Sequence, residues 1–261
     1  MANQQNSQQN PSTNFPAGSG GTVDPAEIAK FSKLSDTWWD PNGKMAPLHK
    51  INPLRLSYIR DAACRKFDRN AKSLSCLSGL RILDIGCGAG LLCEPLTRLG
   101  AQVIGVDPSA SNIAAAKLHA DKGHLSIDYR CTTVEQMDVR ERFDIVLAME
   151  VIEHVADVGV FLRRCAAMLK PGGIMVVSTL NRNWKSFALA IVGAEYVLRW
   201  LPRGTHQWDK FVTPDELARH LLDNKLVVTE ETGVVYSPFA DRWSLSSDTD
   251  VNYMVIAEYA V

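Results

Sequence analysis

The sequence predicts an α/β fold: one mostly parallel sheet with helices packed on both faces. Three observations point there. From Leu80 onward, short β-branched runs alternate with helix-like stretches, and the first run stops at a cluster of glycines. Two further strand-like runs follow the last helix-like stretch and close the chain. Parallel neighbours need crossover connections, which helices supply, while closely spaced late strands suit an antiparallel ending.

Taken in order, residues 1–24 are rich in Gln, Asn, Ser and Gly and lack the apolar mass to repay ordering, so they read as a disordered arm. Residues 25–261 read as one domain that opens with a helical cap over 25–75. Asp24-Pro25 sets a cap residue before a proline, and Asp24–Phe67 looks helical, broken at Asp40-Pro41-Asn42-Gly43 and interrupted at Pro47 and Pro53. Trp38 and Trp39 are adjacent and cannot share a helical face. Either both pack, or one meets the core and the other a ligand or lid.

The strands are LRILDIG, AQVIGVD, LSIDYR, RFDIVLAM, GGIMVVSTL, KLVVTEET and VNYMVIAEYA, seven in all. Helices are expected over Leu91–Leu99, Ser109–Lys122, Val158–Leu169 and Pro214–Asp223. Residues 182–212 are too long and apolar for an ordinary connection and read as an inserted lid or membrane-interface segment. Within it, Trp184 and Trp200 bracket an apolar stripe beside Lys185, Arg199 and Arg203, a pattern suited to peripheral contact with an anionic membrane through 184–203.

The 261 residues are 46% hydrophobic and 22% charged, an ordinary globular composition. A formal net charge of -1 gives no reason to expect a nucleic-acid partner. The six cysteines are scattered without CxxC pairs and read as reduced thiols. The N-terminal stretch resembles neither a secretory signal nor a transit peptide, and no apolar run is long enough to span a bilayer. A cytoplasmic protein is expected.

The sharpest motif is Leu83-Asp84-Ile85-Gly86-Cys87-Gly88-Ala89-Gly90, between a strand and a helix. Glycines there allow a tight turn and let a ligand approach the backbone. Asp107 ends the next strand, where a carboxylate accepts hydrogen bonds from a ribose diol. The spacing is GxGxG, so the dinucleotide fingerprint GxGxxG fails. Asp84 would repel a pyrophosphate but welcome an ammonium. The cofactor that fits is S-adenosylmethionine, which carries a ribose and an amino-acid end and no phosphate.

Glu150, Glu153 and His154 follow the strand RFDIVLAM. If the chain turns helical there, all three project to one side. Two carboxylates and an imidazole can hold a divalent cation, the oxygens favouring Mg²⁺. Alternatively His154 is a general base oriented by the glutamates, or the group is structural.

The block LDIGCGAG…GVD…RFDIVLAMEVIEHV…LKPGGIMVVSTLNR resembles the motif series of class I, Rossmann-like methyltransferases. The stretches PLHKINPLR, AKLHA, STLNRNWKS, VGAEYVLRWLPRGTHQWDKF and DVNYM are more particular and resemble the ubiquinone-biosynthesis O-methyltransferases over nearly everything after residue 24. The resemblance implies cofactor contacts from Arg55, Gly86, Asp107 and Met149, to which the loop adds Asp84 and Gly88. It also implies a Mg²⁺ site at Glu150, Glu153 and His154. The expected reaction is methyl transfer to a phenolic hydroxyl of a polyprenyl catechol or demethylubiquinol. The enzyme would sit peripherally on the inner face of the membrane, within reach of a ubiquinone-biosynthesis complex. The alternatives are methylation of another small phenol or a carboxylate, and a non-catalytic cofactor-binding subunit.

Overall fold

The computed structural model describes residues 37–187 and 208–260, with Thr22, Asp24, Ile28 and Ala29 before them. Helix α1 (Ala46–Lys66) precedes β1 (Arg81–Ile85), α2 (Cys93–Arg98), β2 (Gln102–Asp107), α3 (Ala110–Lys122), β3 (Asp128–Cys131) and β4 (Phe143–Met149). Then come α4 (Val158–Met168), β5 (Leu169–Leu180), α5 (Pro214–Asp223), β6 (Leu226–Ser237), β7 (Arg242–Ser246) and β8 (Asn252–Tyr259).

The strands form one sheet in the order β3-β2-β1-β4-β5-β8-β6-β7. The first five are mutually parallel. β8 runs against β5, β6 against β8, and β7 against β6. The expected architecture holds, with one correction: the sheet has eight strands, not seven. The added strand, β7, reads RWSLS and is nowhere fully buried, so it lacks the apolar run by which the others were found.

Strands buried on both faces divide the core by alternation. In β4, Ile145 and Leu147 pack with Tyr58, Ile59 and Ala62 of α1 and Ile113 and Ala116 of α3. Val146 and Ala148 pack with Phe161 and Leu162 of α4 and Leu217 and Leu221 of α5. Local signals set the helix starts. The Ser109 side chain accepts from Asn112 N–H, the Asp157 side chain from Val160 N–H, and Thr213 forms a reciprocal capping box with Glu216.

The expected interruptions at Pro47 and Pro53 do not occur, since α1 runs through both. Pro47 lies in the first turn, where its missing N–H has no intrahelical partner to lose. Pro53 forfeits one backbone bond. The buried stripe Ile51, Arg55, Tyr58, Ile59 and Ala62 spans it and holds the helix in place. The break at 40–43 is real, a turn in which Gly43 N–H donates to Asp40 O and Asn42 N–H to the Asp40 carboxylate.

Because β1, β2 and β4 are parallel and in register (Ile85 beside Val106 and Ala148), their carboxyl ends share one edge. That edge carries Gly86–Gly90, Asp107 and Met149–His154, the place where open α/β sheets bind ligands.

Candidate active site

The glycine loop leaves β1 with Gly86 at φ +70° and Gly88 at φ +55°. A Cβ on Gly86 would stand 2.5 Å from a methyl of Val151, and one on Gly88 would stand 2.5 Å from the Trp38 ring. Both conformation and space therefore demand glycine. Gly86 N–H donates to Val106 O at 2.8 Å, tying the loop to the neighbouring strand.

Asp107 locks the other side of the loop. Its Oδ2 accepts from Gly88 N–H at 3.0 Å, and its Oδ1 from Ser109 N–H at 2.8 Å and Asn112 Nδ2 at 3.3 Å. Burial raises its pKa, and these donors oppose the rise. With a single partner among the described residues, Oδ2 keeps acceptor capacity for a ligand hydroxyl. Asp84 is also buried. Cys93 Sγ lies 3.1 Å from its Oδ2, and burial pushes its pKa up to about 7.

Met149 is buried at the end of β4, opposite Ser178 on β5. Glu150 follows at φ +56°, with its N–H donating to Ser178 O. Its Oε1 accepts from Arg55 Nη2 at 2.6 Å, Ser178 Oγ at 2.9 Å and Asn252 Nδ2 at 3.2 Å. Glu153 Oε2 accepts from Thr179 Oγ1 at 2.7 Å, while Oε1 is buried without a hydrogen-bond partner. Burial, reinforced by the Glu150 charge, pushes the Glu153 carboxyl up to about 8. His154 Nε2 lies 4.0 Å from Glu153 Oε1.

The structure thus brings Arg55 to Glu150, Gly88 to Asp107, and His154 to Glu153. It corrects the metal geometry: among the described residues no three His, Cys, Asp or Glu side chains are arranged to hold a metal ion. The turn after β4 is a 3-10 turn over Ile152–His154 preceded by a left-handed Glu150, not the helix begun at Glu150 on which the expected metal arrangement depended. Arg55, expected on a cofactor carboxylate, is engaged by Glu150.

Three partners escaped the sequence reading: Ser178, Thr179 and Asn252. Each is a buried polar residue in a strand otherwise lined by apolar ones, and that is the signal by which they can be found. The unpartnered Arg55 Nε, Glu153 Oε1 and Asn252 Oδ1 belong to this same group of contacting residues. Thr22 Oγ1 donates to Glu135, and Lys210 pairs with Asp24.

A family profile described as a methyltransferase domain matches residues 55–231. Proteins named ubiquinone biosynthesis O-methyltransferase match nearly end to end. One from a Bradyrhizobium species is 86% identical over 242 residues, covering 93% of this chain and 96% of the relative. This chain belongs to the ubiquinone biosynthesis O-methyltransferase family. Within that family, the protein from Nitrobacter winogradskyi is 82% identical over 255 residues, 96% of this chain and 98% of its own.

Among solved structures, the family fold matches a magnesium protoporphyrin IX methyltransferase from Synechocystis with bound S-adenosylhomocysteine. The TM-score is 0.61 at 17% identity, over 89% of this chain and 95% of that one. An S-adenosylmethionine-dependent methyltransferase from Clostridium acetobutylicum also matches at TM-score 0.61, with 12% identity, over 89% of this chain and all of that one. At such identities the likeness establishes the fold.

Proposed function

We propose that this chain transfers the methyl group of S-adenosylmethionine to a ring hydroxyl of a polyprenylated catechol or demethylubiquinol. The observation that carries the reading is 86% identity, over nearly the whole chain, to a protein named for ubiquinone-biosynthesis O-methylation. The geometry supports it. The glycine loop and Asp107 meet at the sheet edge, and Glu153 and His154 stand at the same edge beyond β4.

Bound there, S-adenosylmethionine supplies an electrophilic methyl. Asp107 Oδ2 would accept from the ribose, and Asp84 would meet the cationic amino-acid end. The acceptor phenol has a pKa of about 10 and needs help to ionise near neutrality. His154 would take its proton as the phenol oxygen bonds to the methyl carbon and the carbon–sulfur bond breaks. Glu153 is held by Thr179 with its Oε1 4.0 Å from His154 Nε2, and in its ionised form it would stabilise the charged imidazole. Glu150 anchors Arg55 and Asn252 at the wall of the site.

Mg²⁺, the other expected cofactor, does not fit the residues as placed, because Glu150 Oε1 is surrounded by three protein donors. No step here depends on it. In this reading residues 25–75 cap the methyltransferase domain and 182–212 form the lid or membrane-interface insertion. Most of the 184–203 stripe lies outside the described residues. At its near end, Trp184 is exposed and stacks on Trp208 at 5.9 Å, with Phe187 6.0 Å from Trp184. Aromatic rings in that setting favour peripheral contact with the cytoplasmic membrane face, where prenylated substrates and other biosynthetic enzymes meet. No helix among the described residues is long and apolar enough to cross a membrane.

The test is incubation with methyl-labelled S-adenosylmethionine and a short-tailed prenyl catechol, with and without exhaustive chelation. Label in the catechol supports the reading, and its absence in a chain that binds the cofactor leaves the non-catalytic alternative. Vesicle sedimentation with anionic lipid tests the membrane contact, which fails if the chain stays in the supernatant at every lipid composition.

A further inference from the structure

Trp38 is held against the glycine loop by a set of contacts made by its neighbours. Trp39 Nε1–H donates to Ala89 O at 3.0 Å, anchoring the segment to the loop backbone. The Trp39 ring lies flat on His119, with centroids 3.4 Å apart and planes 2° from parallel. His119 is fixed in turn by Glu94, at 2.6 Å from Nδ1. On the other side, His49 Nε2 lies 2.8 Å from Trp38 O. So constrained, the Trp38 indole covers Gly88, and its benzo edge occupies the space a Cβ there would take.

Trp38 is only 8% exposed, and its Nε1 is buried with no hydrogen-bond partner. Buried tryptophan N–H groups ordinarily find an acceptor, and an orphan costs free energy that packing alone does not require. The contrast with the neighbouring, fully partnered Trp39 is direct. Gly88, beneath the Trp38 ring, is the residue whose N–H joins the loop to Asp107.

We infer that Trp38 is a cofactor-contacting residue: its indole walls the pocket over Gly88, and its Nε1–H donates to an oxygen of bound S-adenosylmethionine. The acceptor is a ribose hydroxyl or the methionine carboxylate. This rests on the reading of the site as a S-adenosylmethionine pocket, and the experiment separates failure of the two.

The full chain, labelled with ¹⁵N, is titrated with S-adenosylhomocysteine while the tryptophan indole N–H resonances are followed. The Trp38 resonance is assigned by its disappearance in Trp38→Phe, or in Trp38→Tyr should the first variant not fold. It is expected to move downfield by several tenths of a ppm at saturation, whereas that of Trp39, already bonded to Ala89, moves much less. By calorimetry Trp38→Phe, which keeps an aromatic ring and loses the donor, is expected to bind S-adenosylhomocysteine about 5- to 10-fold more weakly. A parallel titration with 5′-methylthioadenosine, which has the ribose and lacks the amino-acid end, assigns the acceptor. The downfield shift persists if it is the ribose and vanishes if it is the carboxylate. An unmoved Trp38 resonance in a chain that binds, or wild-type affinity in folded Trp38→Phe, overturns this inference alone. Failure of the wild type to bind S-adenosylhomocysteine overturns the pocket reading and this inference with it.

Discussion

Glu150→Ala removes the one carboxylate that, among the described residues, pairs with Arg55. The Arg55 side chain is 5% exposed and that of Glu150 20%, so the pair is largely withdrawn from water and the guanidinium cannot rehydrate in place. Breaking a buried pair from one side costs about 3–5 kcal/mol, because a charge is left uncompensated. Ser178 Oγ and Asn252 Nδ2 lose the same acceptor. Partial access at Glu150 lets some water in, which places the expected loss near the lower end, about 3 kcal/mol. Glu150→Gln retains an acceptor oxygen and loses the charge, for which about 1–2 kcal/mol is expected. Urea unfolding measures both, and with a slope of about 3 kcal/mol/M the alanine variant should unfold about 1 M earlier than wild type. Adding Arg55→Leu to Glu150→Ala should recover most of the loss, since the orphaned charge goes with it. An alanine variant as stable as wild type, or a double variant worse than the sum of the singles, refutes the claim that this pair is an internal clamp.

Four other outcomes follow from the same geometry. Asp107→Ala should weaken S-adenosylhomocysteine binding by about 1.5–3 kcal/mol in calorimetry, and should also lower the melting temperature, because Gly88, Ser109 and Asn112 lose their acceptor. Asp84 ionises near 7 in the fold and 3.8 without it, so its protonated form favours folding. That contribution is complete below pH 3.8 and disappears as pH rises through about 7, so Asp84→Asn should flatten this part of the stability–pH profile. Gly88→Ala places a Cβ at φ +55° into the Trp38 ring and should cost about 1–3 kcal/mol by thermal unfolding, part of it recovered by Trp38→Ala. Turnover should survive exhaustive chelation if His154 alone handles the proton, and loss restored by added Mg²⁺ would show that Glu150 leaves Arg55 to take a metal.

Much of this was legible in the chain itself. The apolar run RFDIVLAM and the helix-like stretches over Ser109–Lys122, Val158–Leu169 and Pro214–Asp223 are local signals, and the strand and helices they mark appear where expected. The glycine loop announced its own geometry because only glycine tolerates those angles and contacts. What did not show was long-range. Nothing near Arg55 indicates that Glu150, 95 residues away, takes its guanidinium. The left-handed turn at Glu150 is equally hidden, since glutamate carries no preference for it. Strand β7 escaped because an exposed edge strand needs no apolar pattern.

The central claim, ether formation on a prenylated ring, is tested most directly by the mass spectrum of the product from one discriminating substrate. That substrate carries a catechol, a carboxyl group and a short prenyl tail, and is offered with S-adenosylmethionine to the wild-type chain. The account predicts a single methyl ether on a ring hydroxyl, one S-adenosylhomocysteine released per methyl, and no methyl ester. An ester product, or methylation only when the prenyl tail is removed, would contradict it.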